Sequence, residues 1–184
     1  GLNILGAHLD SPRLDVKQNP VYEASDFALL DTHYYGGVKH YQWVTTPLAI
    51  HGVVVKGDGE IVEVNIGDDP SDPVFCVTDL LPHLAAKQME KKGRELIEGE
   101  NLDLLVGSRP LMLDTEDSAE GEEKETALHE VNKPRSIDEI AEKEPVKAML
   151  LKLLYEKYGI EQRDFLSAEL EIVPAGPARD CGFD

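Results

Sequence analysis

The sequence has little of what marks disulfide-rich, secreted or membrane-spanning proteins. Its 184 residues include two cysteines, Cys76 and Cys181, which form no Cys-x-x-Cys pair. Two cysteines are too few for a disulfide framework and fit a reducing compartment. No apolar run approaches the roughly 20 residues that cross a bilayer, and Gly1 begins no basic, apolar leader. We therefore expect a cytoplasmic protein with no membrane partner.

Basic residues are also scarce. The chain has 18 Lys and Arg against 36 Asp and Glu, for a formal net charge of -18. Nucleic-acid binding depends on clustered basic side chains that contact phosphates. We therefore expect no nucleic-acid partner. Hydrophobic residues make up 41% of the chain, enough for one sizeable core with a fragment of another domain.

The first residues predict a strand with a polar turn behind it. Residues 2 to 8 begin with a short apolar run that lacks clean alternation, as in a strand covered on both faces of an α/β sheet. His8, Asp10 and Pro12 follow where such sheets place ligand and catalytic groups. Arg13 and Lys17, a little further on, are interpreted as solvated surface charges rather than substrate contacts.

The middle of the chain predicts a β-rich unit over residues 41 to 66. Apolar residues alternate from Leu48 to Val55 and from Val62 to Ile66, with Gly57-Asp58-Gly59 as the turn between them. A helix is predicted over residues 79 to 92, capped by Thr78 or Asp79. A second helix is predicted over residues 145 to 158, after a capping box of Ser136 and Glu139 and before Gly159.

Two further segments complete the chain. Residues 114 to 125 carry seven acidic side chains and no large apolar one, so we expect a mobile, solvated insertion. Phe165 to Val173 form an apolar run that ends at Pro174. We expect it to be a last strand that returns toward the sheet of residues 2 to 8.

His8 and Asp10 are the pair with the clearest chemistry. A neutral imidazole binds zinc through one ring nitrogen, and a carboxylate two residues away can hold the other nitrogen and fix the tautomer. Taken alone, the triplet is better explained as a polar turn after a strand. His51, within an apolar strand, is interpreted as structural, and His129, beside the acidic insertion, as solvated.

A series of motifs resembles the aspartyl aminopeptidase family of zinc metallo-exopeptidases and spans nearly the whole chain. In order, the motifs are Gly6-Ala7-His8-Leu9-Asp10-Ser11-Pro12-Arg13-Leu14, Lys17-Gln18-Asn19-Pro20, Tyr35-Gly36-Gly37, Tyr41-Gln42-Trp43, Pro47-Leu48-Ala49-Ile50-His51-Gly52, Pro82-His83-Leu84-Ala85 and Pro177-Ala178-Arg179-Asp180. Their shared order is far more specific than any one of them.

The resemblance implies an α+β fold: a β-rich, barrel-like lid or dimerisation domain with two or three helices, plus edge segments of an α/β/α catalytic domain. Residues 1–20 would be the first piece of the catalytic domain, residues 21–173 the lid with its insertion at 114–125, and residues 174–184 the return into the catalytic domain. Such lids drive assembly of dimers into a dodecamer.

The resemblance also assigns roles to a few residues. His8 would be one ligand of a two-zinc centre and Asp10 a catalytic carboxylate that orients it. His83 would reach a neighbouring subunit's active site as an oxyanion donor, a role for which His33 and His40 compete. The remaining ligands and the general base lie outside the matching segment, and cobalt or manganese would suit the same donors.

Three functional hypotheses remain open. The first is a metal-dependent aminopeptidase that removes N-terminal residues, acidic ones among them, from peptides; this segment alone would be inactive. The second is a lid module whose own activity is self-association. The third is an unrelated β-barrel binding domain. Further metal ligands downstream of Asp184 would distinguish the first from the others.

Overall fold

The computed structural model describes residues 2–9, 11–112 and 136–183. Within these ranges, seven strands form one sheet: β1 (Arg13–Ala24), β2 (Phe27–Tyr35), β3 (Leu48–Val55), β4 (Ile61–Ile66), β5 (Cys76–Val77), β6 (Leu104–Gly107) and β7 (Ala168–Pro174). Three α-helices accompany them: α1 (Ala86–Met89), α2 (Ile137–Ala141) and α3 (Pro145–Tyr158). Short 3-10 turns lie between these elements.

The sheet is antiparallel and curls into a half-barrel. Its strand order is β4-β3-β7-β1-β2-β6-β5, and every paired neighbour is antiparallel. Phe75, just before the edge strand β5, exchanges two backbone hydrogen bonds of 2.8 and 2.9 Å with Leu48 of β3. The segment next to the edge strand β5 is therefore bonded to β3, which is the second strand from the opposite edge of the sheet. The predicted β-rich, barrel-like domain is confirmed to this extent, and the edge segments of an α/β/α domain stay a prediction.

One face of the sheet forms the core. Leu14, Ile172, Ile50 and Ile66 lie in one row across β1, β7, β3 and β4, and all are at least nine-tenths buried. Burying each such side chain contributes on the order of 1.5–3 kcal/mol. Because successive side chains alternate between faces, the row that begins one residue after Leu14 in β1 points to the outer face of the sheet and is polar.

The predicted hairpin over residues 41 to 66 is confirmed as β3 and β4. Their register pairs Ile50 with Ile66 and Val55 with Ile61, and Lys56 N donates to Glu60 O at 2.8 Å across the Gly57-Asp58-Gly59 turn. A longer hairpin, β1 with β2, was not predicted. Its two turn residues, Ser25 and Asp26, both have positive φ, which the sequence does not signal with the usual Asn-Gly or Asp-Gly.

The strand predicted at residues 2 to 8 is not formed within the described residues of this chain; as a strand of a larger catalytic sheet it stays a prediction. The described residues 2–9 have no secondary structure, and Leu2, Ile4 and Leu5 are exposed. A strand needs a neighbour to pair with, and no described segment pairs with this one. The last strand also has other neighbours than predicted: β7 lies between β3 and β1, in the centre of the curled sheet.

The predicted helix over residues 145 to 158 is confirmed with its bounds. α3 ends at Gly159, whose φ of 64° is left-handed, a conformation that glycine adopts without strain. The capping box of Ser136 and Glu139 is also confirmed, at the start of α2. β1 runs through position 20, where the domain boundary was predicted; the division into domains stays a prediction.

The predicted helix over residues 79 to 92 is wrong in length. Only the four residues of α1 are helical, and Leu84 and Met89 are exposed. Asp79 accepts hydrogen bonds from Leu80 N and Gln88 Nε2 instead of capping a long helix. Short helices without a buried face are marginal in water, which accounts for the difference.

Asp10, His129 and the predicted acidic insertion at 114–125 lie outside the described residues. Within the described ranges, no helix has the length and apolar character needed to cross a membrane.

Candidate functional site

His8 lies exposed on the segment that precedes β1. Its predicted partner, Asp10, is outside the described residues. Across residues 2–9, 11–112 and 136–183, no three His, Cys, Asp or Glu side chains are grouped so that they could hold a metal ion. A catalytic zinc takes about three protein ligands. The described part of the chain therefore does not complete a catalytic metal centre by itself.

The three histidines that compete for one catalytic role have different surroundings. His83 is exposed in a turn just before α1. His40 is half-buried; its Nδ1 lies 2.9 Å from the carbonyl oxygen of Ile97, and its ring contacts Tyr34 at 4.7 Å between centroids. A carbonyl oxygen can only accept, so Nδ1 of His40 carries the proton and is committed to the fold. His33 is exposed, and its ring stacks on the ring of Tyr34 at 5.5 Å between centroids.

His51 has a local structural partner, in line with its interpretation as a structural residue. Its Nε2 lies 3.0 Å from Asp68 Oδ2, close enough for an ion pair but without the alignment of a hydrogen bond. The other oxygen of Asp68 accepts a hydrogen bond of 3.3 Å from Gly176 N. The pair thus joins β3 to the chain that follows β7.

Arg13 and Lys17, expected to be solvated, are both paired with carboxylates. Arg13 Nε lies 2.8 Å from Asp15 and 3.0 Å from Glu171, and its guanidinium lies 4.4 Å from the centroid of the Tyr35 ring. The hydrogen bond to Asp15 raises the pKa of Arg13. Lys17 Nζ lies 2.8 Å from Asp31, which likewise raises the pKa of Lys17. Neither cation is therefore a free substrate-binding group.

A part-buried polar group went unpredicted. Tyr22 Oη donates a hydrogen bond of 2.5 Å to Asp103 Oδ2, and Thr32 N donates one of 3.3 Å to Asp103 Oδ1. Burial raises the pKa of the Asp103 carboxyl, and burial together with the hydrogen bond to Asp103 raises the pKa of Tyr22. The partners are about 70 to 80 positions apart in sequence, so no local pattern could have indicated the contact.

The predicted metal ligand His8 and the predicted catalytic residue His83 thus both have exposed side chains, whereas His40, His51, Arg13 and Lys17 have partners within the fold. The described residues form a half-barrel and leave the imidazoles of His8, His33 and His83 exposed. Among the described residues, no group of three side chains could hold a metal ion.

The whole chain, residues 1–184, matches the family model described as aminopeptidase I zinc metalloprotease (M18). It is 55% identical to the probable M18 family aminopeptidase 1 of Clostridium acetobutylicum and 46% identical to that of Thermotoga maritima. In both cases the match covers 100% of this chain and 34% of the relative. The chain thus spans about a third of the length of the curated relatives that it matches.

Solved structures of M18 aminopeptidases share the fold of this chain. The M18 aminopeptidase of Thermotoga maritima superposes with a TM-score of 0.75 at 46% identity, over 96% of this chain and 33% of that one. Aminopeptidase I of Clostridium acetobutylicum gives a TM-score of 0.71 at 53% identity, with the same coverage. The resemblance seen in the motifs holds at the level of the family: the chain belongs to the M18 family of aminopeptidase I zinc metalloproteases.

Proposed function

We propose that the full-length protein is a metal-dependent aminopeptidase that removes N-terminal residues, acidic ones among them, from peptides in the cytoplasm. The observation that carries the proposal is the match of every residue of this chain to the M18 family, with identities of 46 to 55% to curated relatives from Clostridium and Thermotoga. Because the chain spans a third of those relatives, the activity is proposed for the longer protein that contains it.

Zinc is the proposed cofactor, two ions in each active site, with cobalt or manganese as alternatives that suit the same donors. In such centres the metal lowers the pKa of a bound water and polarises the substrate carbonyl. The described residues do not complete this centre. His8 would contribute one ligand and Asp10 the carboxylate that orients its ring. The other ligands would come from sequence outside this chain.

His83 is proposed as a catalytic residue that acts on a neighbouring subunit's substrate. Its exposure on a turn leaves the imidazole available to a partner, whereas His40 is bound to the Ile97 carbonyl. An imidazole N–H placed near the scissile carbonyl would stabilise the oxyanion of the tetrahedral intermediate. This role requires a homo-oligomer, which we propose forms through the lid, as dimers that build a dodecamer.

A second candidate function concerns this chain by itself: a self-association module without catalysis. The absence of a metal-binding group of three side chains among the described residues favours it for the isolated segment. The two proposals apply to different lengths of the same protein and are compatible.

Metal content and turnover of aspartyl and leucyl chromogenic peptides test both, measured on this chain and on the full-length protein in parallel. We expect about two metal ions per chain and turnover in the full-length protein only. The ratio of the two substrates gives the specificity. Stoichiometric metal and hydrolysis in the isolated chain would show that its site is complete and the assignment wrong.

Replacement of His83 tests the role in trans. In the full-length enzyme, His83→Ala is expected to lower kcat about 100-fold or more, with KM little changed, since an oxyanion donor acts only in the transition state. His33→Ala and His40→Ala are the matched controls. A larger loss of kcat in either control than in His83→Ala would transfer the role to that residue.

A further inference from the structure

The first residue of β1, Arg13, contacts side chains of three strands at the point where the chain enters the half-barrel. Its Nε lies 2.8 Å from Asp15 Oδ1 in β1 and 3.0 Å from Glu171 Oε1 in β7. Its guanidinium lies 4.4 Å from the centroid of the Tyr35 ring, at the end of β2. The side chain of Arg13 is 23% exposed, so these contacts are partly shielded from water. These four residues are called the Arg13 cluster below.

The backbone next to the Arg13 cluster is also held. Arg13 and Tyr35 are partners in the register of β1 and β2, and Pro12 comes directly before Arg13. Proline fixes its own φ and restricts the residue before it. A Cβ built on Gly36 would lie 3.6 Å from the Cα of Pro12, so the loop after β2 lies close against this proline. Contacts from β2 and from the loop that follows it therefore hold the start of β1.

The Arg13 cluster also joins the strand by which the chain enters the half-barrel to the strand by which it leaves. In the described residues, β1 and β7 share two register pairs, Leu14 with Ile172 and Asp15 with Glu171. So short a ladder gives limited backbone support. The ion pair between Arg13 and Glu171 adds a side-chain connection beside these two pairs, at the position where the chain enters the sheet.

The segment that precedes the Arg13 cluster carries the proposed metal ligand. His8 lies five positions before Arg13, so at most about 18 Å of extended chain separates the two residues. Asp10, the proposed orienting carboxylate, is closer still in sequence. A misplacement of about 1 Å can cost on the order of 100-fold in rate, even when the change lies far from the reacting atoms. A residue that anchors this segment therefore affects catalysis without contact to the substrate.

Lys17 is a second cation on β1 and lacks this connection. Its Nζ lies 2.8 Å from Asp31 in β2 and 3.4 Å from Glu100, which precedes β6. Lys17 follows Arg13 by four positions and is therefore further from the segment of His8. Its ion pairs join β1 to β2 and to the chain before β6, but not to β7. Lys17 is thus a matched control for the loss of a paired cation from β1.

We propose that Arg13 is a positioning residue of the enzyme, which fixes how the segment of His8 and Asp10 joins the half-barrel. This inference rests on the proposed aminopeptidase function and adds a residue to it. Arg13 acts through its contacts with Glu171 and Tyr35. A lysine does not reproduce a planar guanidinium that lies over an aromatic ring and pairs with carboxylates. The shape of the arginine side chain therefore contributes in addition to its charge.

Zinc affinity and kinetics of the full-length protein test the proposal, with zinc affinity measured by competition with a fluorescent chelator. Arg13→Gln is expected to weaken zinc binding about tenfold or more. It should also lower kcat about 10- to 100-fold, with KM changed less than about threefold. Arg13→Lys should lie between Arg13→Gln and the wild type, because it keeps a charge but loses the contact with the ring. Lys17→Gln should match the wild type in zinc affinity and kcat.

Urea unfolding of this chain separates positioning from stability. Ion pairs of partly exposed side chains contribute little to folding, so Arg13→Gln and Lys17→Gln should have similar unfolding midpoints. Arg13→Gln that binds zinc and turns over like the wild type would overturn the proposal, as would a loss of kcat equal to the fraction of unfolded protein. If Arg13→Gln does not fold, Arg13→Lys decides by the same measurements. A wild type without zinc or turnover would instead reject the aminopeptidase proposal.

Discussion

At the scale of single residues, Gly52 in β3 shows how tightly the sheet restricts one position. Its φ is +146°, and a Cβ built there would lie 1.9 Å from the carbonyl oxygen of Glu169 in the neighbouring strand β7. No rotamer relieves that clash, because the obstructing atom belongs to the backbone. The sequence showed only a glycine in an alternating strand, which is a weak signal of close approach.

We therefore expect Gly52→Ala to lower the free energy of unfolding by on the order of 4 kcal/mol or more. Gly57→Ala is the matched control, since a Cβ at Gly57 has no atom within 4 Å, and it should change stability by no more than about 0.5 kcal/mol. Urea unfolding of both variants measures the difference. Equal midpoints would mean that β3 and β7 are further apart than described.

Asp103 makes stability depend on pH. Burial raises its pKa above the ordinary value of 3.8, so folding favours the protonated carboxyl. That contribution is complete below about pH 4 and is lost as the pH rises through the pKa of Asp103 in the folded protein. Asp103→Asn removes this titration while keeping a polar side chain beside Tyr22 and Thr32.

The wild type should thus lose stability relative to Asp103→Asn as the pH rises from 4 to 7. Urea unfolding at several pH values measures the difference between the two proteins, and exposed Glu90→Gln serves as the control. A difference that grows in favour of the wild type toward pH 7 would contradict the direction of the shift.

At the scale of elements, α3 begins with a cap that its own sequence does not supply. Glu144 at the N-cap position makes no side-chain capping bond. Glu23 of β1 accepts hydrogen bonds from Val146 N at 2.8 Å and Lys147 N at 2.9 Å instead. The first N–H groups of a helix need acceptors, and a carboxylate there also interacts favourably with the helix dipole. Pro145 and Gly159 fixed the bounds of α3, but the cap comes from 123 positions away.

Glu23→Ala is expected to cost about 1–2 kcal/mol of stability, the usual value of a lost N-cap, and Glu23→Gln less, because the amide oxygen still accepts. Exposed Glu63→Ala on β4 is the control for loss of one acidic side chain. Thermal unfolding of the three variants gives the order. If Glu23→Ala and Glu63→Ala behave alike, the contact between β1 and α3 contributes nothing.

At the scale of the whole molecule, the first and last strands of the half-barrel, β1 and β7, are neighbours in the sheet. Leu14 near the start of β1 pairs with Ile172 near the end of β7, so the chain enters and leaves the sheet side by side. An inserted domain needs such neighbouring connections, and this geometry supports the proposed division into a lid and a catalytic domain. Sequence reasoning predicted the last strand but directed it toward the sheet of residues 2 to 8 and did not identify β3 and β1 as its neighbours.

The sequence by itself determined the family and those local elements whose signals are short. Alternation and turn residues predicted β3 and β4, and the span from Pro145 to Gly159 predicted α3. The spacing of Ser136 and Glu139 predicted the capping box, and ordered motifs around His8 and His83 indicated the peptidase family. These signals lie within a few consecutive residues or are sequence motifs shared among relatives, so they can be recognised without knowledge of the fold.

Only the tertiary structure decided which distant segments meet. It placed β7 between β3 and β1, paired β1 with β2 through a turn without glycine, brought Glu23 to α3, and fixed His40 on Ile97 while leaving His83 exposed. It also left Leu84 and Met89 in solvent, where the sequence predicted a longer helix. The physical reason is common to all of these: strand order, helix caps and burial depend on contacts across the chain, whose free energy no local pattern records.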